Sequence, residues 1–184
     1  MTSDVEILET VSGQKIEFDQ APLQRKQAVQ IKLTDLQGQH IDSEITELLK
    51  KGVIEVSNHE PVEFISHIFT RPKKDGSHRM IVNFKSLKKT VTYHHFKIDT
   101  VLSAIRMMKP SCYMASIDLK DAYFSVPIHQ EHQKYLKFLW KGTLYKYVCF
   151  PNGLALCPRK FTKLLKPIFS LLNNKGHVSV GFIN

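Results

Sequence analysis

Apolar residues recur at helical spacing from residue 41 to residue 49, where Ile41, Ile45, Leu48 and Leu49 share one face of I-D-S-E-I-T-E-L-L-K-K-G. Asp42 or Ser43 is placed to cap this helix, Glu44 and Glu47 suit its positive end, Lys50 and Lys51 its negative end, and Gly52 stops it. The pattern then turns to alternation. Residues 64–71 and 78–84 predict two strands joined through K-K-D-G-S, and Asp-Gly is a strong short hairpin signal. Residues 99–108 predict a helix, with Asp99 or Thr100 at its cap and Pro110 beyond it. Residues 113–117 predict a buried strand, and residues 135–140 and 143–150 a second hairpin about Lys141-Gly142. Pro158 opens a helix that runs to about Leu172, Gly176 follows it, and residues 177–183 predict a last apolar strand. Residues 1–40 read as an extended arm, with a short alternating piece at 15–18 and Gln-rich sequence from Ala21 to Gln39. Helices and strands mix without strict βαβ alternation, so the expected class is α+β, a mainly antiparallel sheet packed on helices, over residues 41–184.

Composition narrows the picture. The chain has 184 residues, 42% of them hydrophobic, enough for a packed core and too many for wholesale disorder. Three cysteines, Cys112, Cys149 and Cys157, with no C-x-x-C pair, argue against a disulfide framework and fit a reducing, intracellular setting, nuclear or cytoplasmic. No apolar run reaches the length of a membrane span, and M-T-S-D-V-E lacks the basic head of a signal peptide. The net charge of +9 is uneven. Residues 1–63 hold 12 acidic and 6 basic side chains, and residues 64–184 hold 5 and 20. That asymmetry fits a polyanion partner such as nucleic acid, or a solvated basic surface.

Within the basic region, S-I-D-L-K-D-A-Y-F-S-V-P-I places Asp118 and Asp121 where an apolar stretch breaks. An ionised carboxylate at the end of a buried strand needs a cation, and Mg²⁺ prefers a few carboxylates together with substrate phosphates. Two such ions about 4 Å apart suit phosphoryl transfer. On spacing alone Asp118 reads sooner as a helix cap or local turn, with Asp121 on the surface. Lys73, Lys74 and Arg79 at the first hairpin tip suit a triphosphate, or simply protect a strand edge. The pairs His94/His95 and His129/His132 are not at zinc spacing and read as surface or packing histidines. Cys149 and Cys157 read as buried apolar residues, and Tyr135, Phe138, Trp140, Tyr145 and Tyr147 as core, with Trp140 also placed for base stacking.

Taken in order, these motifs resemble those of reverse transcriptases. S-I-D-L-K-D-A-Y-F-S-V-P-I is similar to the first catalytic motif, R-P-K-K-D-G-S-H-R-M-I-V-N-F-K-S-L to the fingers hairpin, and F-P-N-G-L-A-L-C-P-R-K-F to the following P-x-G-x-x-x-x-P-x-x-F motif. The runs Y-H-H-F-K-I-D-T, K-Y-L-K-F-L-W and F-T-K-L-L-K-P, with the lead-in I-L-E-T-V-S-G-Q-K-I-E-F, resemble DIRS-like, tyrosine-recombinase retrotransposons. The resemblance implies the fingers and partial palm of a right-hand polymerase fold. It implies an RNA-directed DNA polymerase working on RNA or DNA template-primer and deoxynucleoside triphosphates with two Mg²⁺ (or Mn²⁺) ions. Asp118 is then the first metal-binding aspartate, helped by the main-chain carbonyl of Leu119. The backbone of Asp121, Ala122 and Tyr123 lines the triphosphate, the Tyr123 ring excludes a ribose 2′-hydroxyl, and Lys73 or Lys74 with Arg79 holds the phosphates. Asn152 lies near sugar and template, and Gly153 permits close backbone approach.

Two departures bear on activity. Asn152 stands where the family usually has Phe or Gln. The family's third motif, aromatic-x-Asp-Asp, aligns with Phe182, Ile183 and Asn184, so Asn184 replaces the first aspartate and no residue matches the second. The 184-residue chain is therefore expected to be inactive or nearly so in primer extension. The alternatives are a catalytically dead retroelement relic that binds nucleic acid, and a basic scaffold for a protein or RNA partner.

Overall fold

A computed structural model describes residues 3–24, 32–74, 76–97 and 99–181. The first helix, α1 (Val5–Gly13), replaces part of the expected extended arm. The Asp4 carboxylate caps it by accepting from the Glu6 and Ile7 amides at 3.0 and 3.3 Å. Nine residues rich in β-branched side chains carry little helical signal of their own, so this helix depends on burying Ile7 and Thr10.

Helix α2 (Asp35–Lys50) begins more than two turns before the Asp42 or Ser43 cap expected for it. The Thr34 hydroxyl accepts from the Gln37 amide, and the Gln37 side chain accepts from the Thr34 amide, a reciprocal cap stronger than either later candidate. Asp42, left inside the helix, accepts instead from Trp140 Nε1 and Lys141 Nζ, each at 2.7 Å. The buried face is Ile41, Ile45 and Leu48, and Gly52 takes the left-handed conformation that ends the chain's turn (φ 65°).

The remaining elements follow in order: β1 (Ile54–Val56), β2 (Ile65–Ser66), β3 (Ile68–Pro72), β4 (His78–Val82), α3 (Lys85–Lys88), α4 (Val101–Met107), a 3-10 turn (Ala122–Ser125), α5 (Gln130–Gln133), β5 (Lys137–Trp140), β6 (Thr143–Tyr147) and α6 (Cys157–Asn174). One sheet has the order β1-β6-β5-β2, antiparallel except for the β2/β5 pair, and β3 pairs with β4 as a separate antiparallel hairpin. Both predicted hairpins form, Thr100 caps α4, and Pro158 lies in the first turn of α6. The α+β class with a mainly antiparallel sheet is borne out.

Two expected strands do not form. Residues 113–117 have no regular structure and are exposed, Tyr113 and Ile117 almost fully, and residues 177–181 are likewise without strand pairing. Alternation makes a strand only where a partner offers its backbone, and among the described residues neither segment finds one. Asp118 therefore sits on an exposed segment rather than at the end of a buried strand. Phe182, Ile183 and Asn184, and Asp75 of the hairpin turn, lie outside the described residues.

The core joins the buried face of α2 to Phe84 and Leu87, Val126, Leu136, Phe138, Tyr147, Phe150, Leu154 and Phe161. Phe138, Trp140 and Tyr147 are buried and Tyr145 stacks on Phe138, as expected of a core hairpin. Cys149 and Cys157 are buried, and burial pushes the Cys149 thiol up to about 12. Lys137 is fully buried, and its ammonium is matched by Glu60 and Glu63 and the Asn58 carbonyl, all at 2.7 Å. Among the described residues no helix is long and apolar enough to cross a membrane.

Candidate nucleotide and nucleic-acid site

A cavity of about 400 Å³ opens between the segment after α3 and the start of α6. Tyr93, Phe96 and Tyr123 contribute aromatic surface, Lys88, His94 and Arg159 contribute basic groups, and Gly153 and Pro158 form the edge near α6. Tyr123 lies in the 3-10 turn, its ring edge-on to Phe161 with centroids 5.5 Å apart. Its hydroxyl is buried with no hydrogen-bond partner among the described residues, and burial pushes the phenol up to about 12. Gly153 has φ 91°, a left-handed conformation that side chains resist, and a Cβ built there would meet open space. Two predicted site residues, Tyr123 and Gly153, thus meet at one cavity although they lie 30 positions apart. Asn152 is exposed beside Gly153.

The predicted phosphate-binding residues stand elsewhere, on the β3–β4 hairpin. Lys73, Lys74 and Arg79 are exposed and make no ion pair among the described residues. Arg79 faces Arg71 directly across the hairpin. Like charges in register destabilise a sheet pair, so this arrangement favours an anion between them. Arg71 was missed in the sequence because only the register brings it opposite Arg79. Helix α2 braces the hairpin, since Glu44 Oε2 accepts from the Met80 amide at 2.8 Å.

The two aspartates diverge. Asp118 is exposed and has no hydrogen bond or ion pair among the described residues. Asp121 has φ 54°, which Asp tolerates better than most side chains, and its Oδ2 accepts from Lys51 Nζ at 2.8 Å. Among the described residues no three His, Cys, Asp or Glu side chains gather as a metal site.

A strap over residues 14–18 bonds to Thr92, His94 and Arg159, which line the cavity. Gln14 bonds both ways with the chain at Pro127 and His129, Ile16 N–H donates to His132 Nδ1 at 3.0 Å, and Thr92 N–H donates to the Glu17 carbonyl. His132 packs between Phe18 and Tyr135, the packing role expected of it. The Glu17 carboxylate contacts Arg159 at 3.3 Å, Lys160 at 3.1 Å and His94 at 2.5 Å. Burial works against the Glu17 charge, but the hydrogen bonds from Lys160 and His94 hold its carboxyl below the usual carboxylate range.

Comparison with known proteins decides what this arrangement belongs to. The family model described as reverse transcriptase (RNA-dependent DNA polymerase) matches residues 71–183. The chain belongs to the reverse transcriptase family. It is 28% identical over 133 residues to the Transposon Tf2-7 polyprotein of Schizosaccharomyces pombe, a match covering 71% of this chain and 10% of that polyprotein. This reverse-transcriptase chain thus spans about a tenth of the length of the curated relatives it matches. The structure of the foamy viral protease-reverse transcriptase dRH in complex with ds DNA is similar with TM-score 0.69 and 26% identity, over 92% of this chain and 28% of that one. The foamy viral protease-reverse transcriptase in complex with RNA/DNA hybrid gives TM-score 0.73 at 23% identity, over 91% and 22% of the two chains, a likeness of fold. The strap and α1 of this reverse transcriptase precede the matched residues.

Proposed function

We propose that this chain supplies the fingers and part of the palm of a retroelement RNA-directed DNA polymerase, acting on template-primer and deoxynucleoside triphosphates. The observation that carries the reading is the meeting of Tyr123 and Gly153, from two separate motifs, on one basic and aromatic cavity. In nucleotidyl transfer the primer 3′-hydroxyl attacks the α-phosphate, the new phosphodiester forms, the α–β bond breaks and pyrophosphate leaves. Lys73, Lys74 and Arg79 hold the phosphates from the hairpin, with Arg71 beside them. The Asp121, Ala122 and Tyr123 backbone faces the triphosphate, where the first N–H groups of a helical turn lack intrahelical partners. In this reading the Tyr123 ring, edge-on to Phe161, excludes a 2′-hydroxyl, and Asn152 and Gly153 serve the sugar and template; the edge-on packing and the shared cavity of Tyr123 and Gly153 support it.

Reverse transcriptases as a family use divalent metal. The described residues do not fit a two-ion site: Asp118 stands alone, and Asp121 is paired with Lys51. The Leu119 carbonyl and Asp118 would supply at most part of one ion's shell. This mismatch favours a second reading, in which the chain by itself binds nucleic acid without catalysis. Primer extension by the purified chain with Mg²⁺ tests both. No synthesis, with salt-dependent binding of an RNA/DNA hybrid, is the expected result. Synthesis abolished by Asp118→Ala overturns the binding-only reading, and no binding of hybrid or nucleotide overturns both.

The runs Y-H-H-F-K-I-D-T and K-Y-L-K-F-L-W support a DIRS-like element as the source. A tyrosine-recombinase reading frame in the same genomic element is the expected finding, and an integrase frame in its place overturns it.

A further inference from the structure

Arg159 lines the Tyr123 cavity, but its neighbours come from the N-terminal segment that precedes the residues matched by the family. Its Nη2 lies 3.3 Å from Glu17 Oε1 and its Nη1 3.7 Å from Glu6 Oε1. A guanidinium carries five donors in a rigid fork, so two single contacts leave donors for a ligand. Glu17 cannot swing away easily. Its strap is bonded to Pro127 and His129 at one end, to His132 in the middle and to Thr92 at Glu17 itself. The other Glu17 oxygen takes the His94 ring at 2.5 Å, and His94 also lines the cavity. Charge balance points the same way. Glu6 and Glu17 meet three permanent cations, Arg159, Lys160 and Lys163, the Asp4 charge also acts on Lys163, and Lys88 adds a fourth cation at the cavity wall. With Lys88 counted, the four cations exceed the three carboxylates by one, and Arg159 and Lys88 face a cavity also lined by Tyr93, Phe96 and Tyr123.

We propose that Glu17 is a positioning residue: it holds the Arg159 guanidinium, with the His94 ring, at the cavity wall, where Arg159 binds a phosphate of a nucleotide, free or within a strand. The ligand class rests on the polymerase reading above. Pre-setting the fork by a fixed carboxylate lowers the side-chain entropy lost when the phosphate arrives.

The sign of one substitution separates this role from bulk charge. Glu17→Gln makes the chain one unit more positive, so a purely electrostatic surface predicts tighter binding of a polyanion. Positioning predicts weaker binding. The test uses the 184-residue chain with two fluorescent probes, an RNA/DNA hybrid and a deoxynucleoside triphosphate, read by anisotropy across salt. Arg159→Gln is expected to weaken binding about tenfold and to lower the hybrid's salt slope by about 1. Glu17→Gln alone is expected to weaken it about fivefold, and to add nothing in the Arg159→Gln background, because its effect passes through Arg159. Unchanged or tighter binding by Glu17→Gln, or full additivity in the double variant, overturns the proposal. Loss confined to the hybrid assigns the phosphate to a strand, and loss confined to the triphosphate assigns it to the free nucleotide. Should Glu17→Gln lose its thermal transition, Arg159→Lys keeps the charge and removes the fork. It is expected to bind about fivefold more weakly, and undiminished affinity overturns the proposal. A wild-type chain that binds neither probe overturns the polymerase reading and this inference together. Wild-type binding untouched by either single substitution overturns this inference alone.

Discussion

Lys137 shows how far a single side chain can depart from its ordinary place. It is fully buried in β5, and Glu60 and Glu63 with the Asn58 carbonyl take its three donors. Burial works to raise the Glu63 carboxyl, but hydrogen bonds from Lys137 and His59 and from the Glu60 amide hold it below its ordinary value. Removing one partner of a buried pair leaves the other charges desolvated and unmatched. Lys137→Ala is therefore expected to lower unfolding free energy by about 3 kcal/mol in chemical denaturation. Lys141, whose bond to Asp42 lies on the surface, gives the contrast: Lys141→Ala is expected to cost under about 1 kcal/mol. Equal losses at the two sites would show that Lys137 is not held as the structure has it.

Among elements, the contact of α1 with α6 is the one most exposed to acid. Glu6 of α1 meets Lys160, Lys163 and Arg159 of α6, and the bond from Lys163, followed by that from Lys160, brings its carboxyl from 4.5 down to about 2 against the opposing effect of burial. A folded-state value below the unfolded one means that the charged form is favoured by folding. The stabilisation is present in full above about pH 4.5 and drains away as pH falls toward 2. Circular dichroism melts from about pH 6 to about pH 3 are expected to show a falling midpoint, and Glu6→Gln a lower midpoint at neutral pH with a shallower fall. A Glu6→Gln profile parallel to wild type would mean that this clamp does not drive the acid sensitivity. The β3–β4 hairpin is the opposite kind of element. Its register sets Arg71 against Arg79, so it gains from an anion where α1 and α6 have already found their counter-charges.

Over the whole molecule, the uneven charge turns out to be partly internal. Acidic residues of the first third, Glu6, Glu17, Asp42, Glu55, Glu60 and Glu63, each bind a basic residue beyond position 130. In the stretch 71–120, by contrast, Arg71, Lys73, Lys74, Arg79, Lys88 and the other lysines and arginines make no ion pair among the described residues. That stretch carries a concentration of unmatched positive charge available to a polyanion. Neutralising Lys73, Lys74 and Arg79 together is expected to lower the slope of log affinity against log salt for an RNA/DNA hybrid by roughly 2 to 3. Neutralising Lys141 and Lys146, already paired with Asp42 and Glu55, is expected to change it by less than about 1. Equal effects from the two sets would return the charge to a diffuse basic surface.

Sequence alone was enough for the class of fold, both hairpins, the α4 cap, the start of α6 and the reverse-transcriptase motifs. Each of these rests on short-range chemistry: alternation about Asp-Gly or Lys-Gly turns, a capping hydroxyl, a proline at a helix start. It failed where an element depends on a distant partner. Residues 113–117 form an apolar run that reads as a buried strand, but they find no partner among the described residues, so Asp118 lies exposed. Residues 5–13 lack a strong helical pattern and fold because α6 gives Glu6 its counter-charges and the core takes Ile7. Tyr123 and Gly153 were legible as motif residues, and Arg71, His94 and Arg159 were not. Nothing local marks a basic side chain as part of a site until strand register or a cavity wall puts it there. Tertiary structure alone decided that the acidic N-terminal segment is a strap, because opposite charges separated by more than a hundred residues attract only after folding has removed the distance between them.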